Sequence, residues 1–252
     1  MTMAQGPRKA TRKNVDDVLE ALCAIGSRRR EIAETSVEWA KLDKQEAEVM
    51  RQYAKHVAQA RPYDTAIGQY LAEAIRLDES RADLYLERAR YRMEQHGASL
   101  QQDLEDGSEA SAQLLARIME DVKMALERDE VSSQAYELAL PLLFAHGDLD
   151  VAERLAQRGQ GAVGDLKIAM DLGLEFRRAR NLRKNLGMAE ALLSIDAAEP
   201  AEVERIVAKI RQADGARLPA PVRRRLEECE RRAGVQRQLE EACRRAPRRA
   251  SV

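Results

Sequence analysis

Two stretches of this chain repeat each other. Ala74-Ile75-Arg76-Leu77-Asp78-Glu79 leads into Leu84-Tyr85 and closes at His96-Gly97, while Ala125-Leu126-Glu127-Arg128-Asp129-Glu130 leads into Ala135-Tyr136 and closes at His146-Gly147. Ala74, Asp78, Glu79 and Tyr85 each return 51 positions later. Similarity at a fixed spacing marks a chain built by stacking one helical unit on the next, because a single unit cannot bury its own apolar face. The interval of 51 resolves into one unit of roughly 34 residues plus an insertion of about 17.

Composition supports helices throughout. Charged residues make up 34% of the 252 residues and aromatics only 4%, with Ala, Leu, Glu and Arg dominant. These side chains lose little rotamer freedom in a helix. No run of alternating β-branched and aromatic residues is bounded by turn residues, so strands are not expected. The predicted class is all-α. Charge is uneven: residues 1–13 hold Arg8, Lys9, Arg12 and Lys13 with no acid, residues 217–252 hold eleven Arg against five Glu, and the net charge is −1. An acidic body with basic ends follows: the ends either attract an anionic partner, fold back onto the body, or simply keep exposed helices solvated.

Small polar and basic residues around Gly6-Pro7 predict a disordered basic arm over 1–13. Asn14 is a suitable cap for a helix with the face Val15, Val18, Leu19, Leu22 and Ile25, stopped by Gly26. A second helix starts after Ser27 and runs to about residue 60, with Ile32, Trp39, Leu42, Val49 and Tyr53 on one side and Pro62 beyond its end. Residues 14–47 thus read as an N-terminal helical hairpin, with the single tryptophan, Trp39, as its anchor.

From residue 48 onward the pattern resembles tetratricopeptide repeats. Residues 48–81 match the first unit, whose second helix follows Asp64 and buries Ile67, Tyr70, Leu71, Ala74 and Ile75. The second unit begins near Ala82, with Tyr85 at the large aromatic position and Ala89 at the small, close-packing one. The third, 133–166, has Tyr136 at the aromatic position, Gly147-Asp148 at the turn and Ala152 five residues past that glycine. A degenerate fourth unit is expected over 167–200, turning at Gly187. An insertion near 98–114 interrupts the series, with Ser99 and Gln102 as a capping box and Gly107-Ser108 as a break before the helix restarts. Glu79 and Glu130 stand where the family carries proline, and Leu140 replaces a small residue.

The resemblance implies an α-solenoid of antiparallel helix pairs over 48–200 and a non-enzymatic scaffold or adaptor that takes a peptide or helix of another protein on its concave face. Carried across unit by unit, the inward positions are Asp83, Leu86, Arg90, Met93 and Glu94, then Gln134, Glu137, Pro141 and Phe144. Met93 and Phe144 suit either an apolar groove contact or the core. Pro141, expected inside a helix, lacks an N–H and crowds the Glu137 carbonyl, which either bends the helix or presents that carbonyl to a ligand. The Lys and Asn clamp of chaperone-binding relatives is missing from the inward positions.

Nothing in the sequence calls for an enzyme, a metal or a cofactor. Cys23, Cys229 and Cys243 have no zinc-ligand spacing. His96 and His146 precede turn glycines and suit helix C-termini. Gly159, Gly161 and Gly164 lack the Lys-Ser/Thr of a phosphate loop and read as an inter-helix turn. With no membrane-length apolar run and no secretory signal pattern, a cytoplasmic setting is expected. Residues 201–246 read as two or three short basic helices, followed by a tail, 247–252, whose Arg248-Arg249-Ala250-Ser251 resembles a basophilic-kinase site. Arg223, Arg224, Arg225, Arg231, Arg232, Arg244 and Arg245 form a basic stripe there. They open a second reading, a nucleic-acid-associated accessory subunit contacting phosphates through these arginines, which interspersed glutamates and scarce aromatics disfavour. Self-association is compatible with either reading, since a helical array without polar end caps has apolar ends to cover.

Overall fold

The computed structural model describes residues 8–31, 37–96, 103–104, 108–194, 199–214 and 218–245. Ten helices account for almost all of them, with no strand among the described residues. In chain order they are α1 (Arg8–Arg29), α2 (Val37–Ala60), α3 (Ala66–Leu77), α4 (Ala82–His96), α5 (Glu109–Arg128), α6 (Ser133–His146), α7 (Leu149–Ala162), α8 (Leu166–Leu193), α9 (Pro200–Asp214) and α10 (Ala220–Arg245). The chain divides into two compact units, one of Met1–Leu100 with Ala110–Leu138, the other of Gln101–Glu109 with Ala139–Val252.

In the first unit α1 packs on α2, α2 on α3 and α3 on α4. The core includes Ala54, Ile67 and Leu71, with Val57, Ala58, Tyr70 and Tyr91 packed around them. Tyr53 meets Tyr70 edge to face, with ring centroids 4.6 Å apart. Helices α3 and α4 approach closely at Gly68, where an added Cβ would lie 3.0 Å from the Tyr91 ring. The Tyr91 hydroxyl donates to the Asp64 carbonyl at 2.9 Å, fixing the ring across the start of α3. Between α4 and α5 the tie is ionic. The Asp121 carboxylate, 1% exposed, accepts from Arg88 Nη2 at 2.6 Å and from Arg92 Nη1 at 2.5 Å.

Two pairs of hydrogen bonds match at positions 51 residues apart. Asp78 N donates to Ala74 O at 3.0 Å and Asp129 N to Ala125 O at 2.9 Å, closing α3 and α5 in the same way. The Tyr85 hydroxyl reaches the Glu79 carbonyl at 3.4 Å, and the Tyr136 hydroxyl reaches the Glu130 carbonyl at 3.0 Å. Ala74, Ala89 and Ala125 are wholly buried.

In the second unit α7 packs on α8, while α8, α9 and α10 pack mutually. Pro200 opens α9, whose missing N–H costs nothing in a first turn, and Val203, Ile206, Val207 and Ile210 form its buried face. Val222, Leu226 and Cys229 do the same for α10. The α6–α7 turn forms at Gly147, whose φ is +88°. The amides of Gly147 and Asp148 both donate to the Leu143 carbonyl, at 3.0 and 2.9 Å.

Several expectations are corrected. Helix α1 begins at Arg8, so residues 8–13 of the expected arm are helical and Asn14 is not a start; residues 1–7 lie outside the described residues. The helix also runs through Gly26 to Arg29, and Leu19, expected on its buried face, is 52% exposed. Gly159 and Gly161 belong to the last turns of α7, leaving only Gly164 in the connection. No turn forms at Gly187: α8 is one helix of 28 residues from Leu166 to Leu193, so the fourth helix pair expected over 167–200 is absent. Its apolar line of Leu172, Ala179, Leu182, Leu186, Ala189 and Leu193 is buried throughout, which outweighs the cost of about 1 kcal/mol for one helical glycine. The described residues within 201–246 form two helices, the second 26 residues long rather than short. Ile32, the Ser99/Gln102 capping box, Gly107 and the 247–252 tail lie outside the described residues, whereas α5 does start directly after Ser108.

Candidate functional site

Helix α4 places Asp83, Glu87, Arg90 and Glu94 on one face by their spacing of three and four residues. Asp83, Arg90 and Glu94 are exposed, and Met93 is half-buried. Leu86 is 4% exposed and belongs to the core, not to the contact surface expected of it. On α6, Gln134, Glu137 and Pro141 are exposed at the same periodicity, and the helix continues through Pro141. Phe144 is 7% exposed and is corrected likewise to a core residue. In the second unit the Arg178 guanidinium lies 4.9 Å above its ring. Among the expected contact residues, the structure joins Arg90 and Gln134: Arg90 Nη2 donates to Gln134 Oε1 at 3.0 Å.

Beside this α4 face the first unit opens a cleft of about 230 Å³ lined by Ala54, Lys55, Ala58, Ile67, Leu71, Glu87, Arg90, Tyr91 and Glu94. Its floor is apolar and its rim is charged. Arg90 and Glu94, two of the expected contact residues, line it together with residues of α2 and α3 that the sequence does not single out for contact. Their signal is the pair Ala54 and Ala58, small residues one turn apart, which lower the α2 wall above Ile67 and Leu71.

A network of ion pairs fixes the α2 side of the rim. Arg51 donates to Glu48 at 2.7 Å and to Glu87 at 2.8 Å, Lys55 pairs with Glu87 at 2.8 Å, and Arg81 joins Glu48 at 2.7 Å to Asp83 at 2.5 Å. The hydrogen bonds from Arg51, then those from Arg81 and Gln52, outweigh burial and pull the Glu48 carboxyl down to about 2. The Arg81 guanidinium likewise holds Asp83 below its ordinary range. Asp83 is therefore a bracing residue first. Arg90, hydrogen-bonded to a neutral amide, keeps its charge available on the rim.

The basic stripe is largely engaged with its own chain. Arg225 makes two 2.8 Å bonds to Glu190, Arg231 donates to Glu228 at 2.6 Å, and Arg232 reaches the Leu193 carbonyl at 3.3 Å. Arg223 and Arg224 are exposed on the same helix. Arg244 and Arg245 close α10, with side chains outside the described residues.

His146 Nδ1 lies 2.9 Å from Asp148 Oδ2 at the Gly147 turn, and His96 ends α4. Among the described residues no group of three or more His, Cys, Asp or Glu side chains is placed to hold a metal ion. No helix there is long and apolar enough to cross a membrane. No protein-family model, curated protein or solved structure matches the chain.

Proposed function

We propose that this protein is a non-enzymatic interaction scaffold, tetratricopeptide-like in its helix pairs, that receives a segment of another protein on the α4 face. The observation that carries this reading is the α2–α3–α4 cleft, an apolar floor of Ala54, Ala58, Ile67 and Leu71 under a rim of Lys55, Glu87, Arg90 and Glu94. Such a shape suits one apolar anchor side chain of an incoming helix or extended peptide, with the rim charges selecting its flanking residues. The turn bonds repeated at Asp78/Asp129 and Tyr85/Tyr136 support the repeat architecture.

The test is affinity capture from the native host, with and without nuclease, read by mass spectrometry. Ala58→Phe fills the cleft, Arg90→Glu inverts its rim, and Arg223→Gln with Arg224→Gln neutralises part of the basic stripe. A nuclease-resistant protein lost with either cleft variant and retained by the stripe variant is expected. Nucleic acid held only through the stripe and released by salt would favour the accessory-subunit reading, since phosphate contacts release counterions.

A further inference from the structure

The first half of α8 carries an apolar line that the described chain leaves open. Leu166, Met170 and Leu174 are 76%, 62% and 56% exposed. Their spacing of four puts them on one helix face, over about 12 Å. Single exposed apolar side chains are ordinary, whereas an ordered line of three marks a contact surface. The helix beneath is well anchored: Asp165 Oδ1 accepts from Ile168 N at 3.0 Å at its start, and Leu172, Ala179 and Leu182 are buried on its other side. Further along the open face Arg177 and Asn181 end the line.

Charge identifies the occupant. Lys167 and Asp171, both exposed, lie one turn apart on the same flank of the line. Consider a two-fold axis passing through the helix surface at Met170. It sets two α8 helices antiparallel, with Met170 against its own copy and Leu166 against Leu174 of the second copy. The same rotation brings the Lys167 flank to the Asp171 flank of the second copy, twice over. A flank of one sign would repel itself under this operation. Here the patch is its own complement, as an isologous interface requires. We infer that the first half of α8 is a homodimer contact, built from Leu166, Met170 and Leu174 and set in register by Lys167 and Asp171. This surface is independent of the α4 cleft and does not rest on that reading.

Sedimentation velocity of the full chain over a concentration series tests the inference. Reversible dimerisation is expected, weakened roughly a hundredfold or more by Met170→Asp, which places a charge at the axis. Lys167→Asp and Asp171→Lys, each creating like-charge pairs, weaken it by about fivefold to tenfold, and the combined swap restores it. All these positions are exposed, and far-UV circular dichroism verifies that the helices persist. A chain that stays monomeric throughout, a dimer indifferent to Met170→Asp, or a double swap without recovery overturns the inference.

Discussion

Gly147 and Gly26 are both glycines at or near a helix end, yet they answer oppositely to the same substitution. At Gly147 φ is +88°, and a Cβ would lie 3.0 Å from the Pro221 Cβ. Gly147→Ala is expected to destabilise by about 1–2 kcal/mol, the left-handed penalty of an L-residue. Gly26 lies inside α1 with nothing within 4 Å of its would-be Cβ. Gly26→Ala is expected to stabilise by up to about 1 kcal/mol. Urea denaturation of both variants checks the pair. Glu48 supplies a pH dependence. Its folded value is about 2 against an ordinary 4.5, so its ion pairs stabilise the fold fully above that ordinary value. The contribution is lost as pH falls through about 2. Glu48 is 32% exposed, which limits the effect to about 1 kcal/mol. Glu48→Gln should flatten that part of the acid limb, measured as denaturation midpoints at two acidic pH values.

Asp121 joins α4 to α5 through a single buried carboxylate. Removing it leaves Arg88 and Arg92 crowded together without their counter-charge. Burial, and then repulsion from Arg88 and Arg117, already draws Arg92 below its ordinary value. Asp121→Ala is expected to destabilise by about 2–4 kcal/mol, somewhat less than a fully buried break because the guanidiniums are 20% and 27% exposed. Asp121→Leu combined with Arg88→Met should recover part of that loss in a denaturation series. This link shows where sequence reading stops. The recurring Ala, Asp and Tyr were legible because each does one local job: close packing, turn closure or a hydroxyl bond six residues back. Arg88, Arg92 and Asp121 carry no periodic signal, since their partnership spans 33 and 29 positions. Glycine also misled at Gly26 and Gly187, where the helix continues because its apolar line does. The exposure of Arg90 and Glu94 follows from helical spacing alone. The rest of the cleft comes from small side chains on neighbouring helices, whose proximity no one-dimensional pattern reports.

At the scale of the whole chain, two compact units predict unfolding that is not two-state. Calorimetry should give an enthalpy exceeding the van't Hoff value, and Asp121→Ala should lower the first unit's transition while leaving the second in place. One coincident transition, shifted as a whole by that substitution, would contradict it. Trp39, the only tryptophan, stands in α2 with the Arg29 guanidinium 5.3 Å from its ring. Its fluorescence therefore reports the first unit. The second unit has its own reporter in Cys229, 2% exposed in α10, whose thiol burial pushes up. Cys23, by contrast, is exposed. A thiol reagent should therefore label Cys23 at once and Cys229 only as fast as its surroundings open. The buried sulfur is a chemical clock for that half of the molecule, readable in the mass of the peptide that carries Cys229, apart from those of Cys23 and Cys243, without altering a single residue.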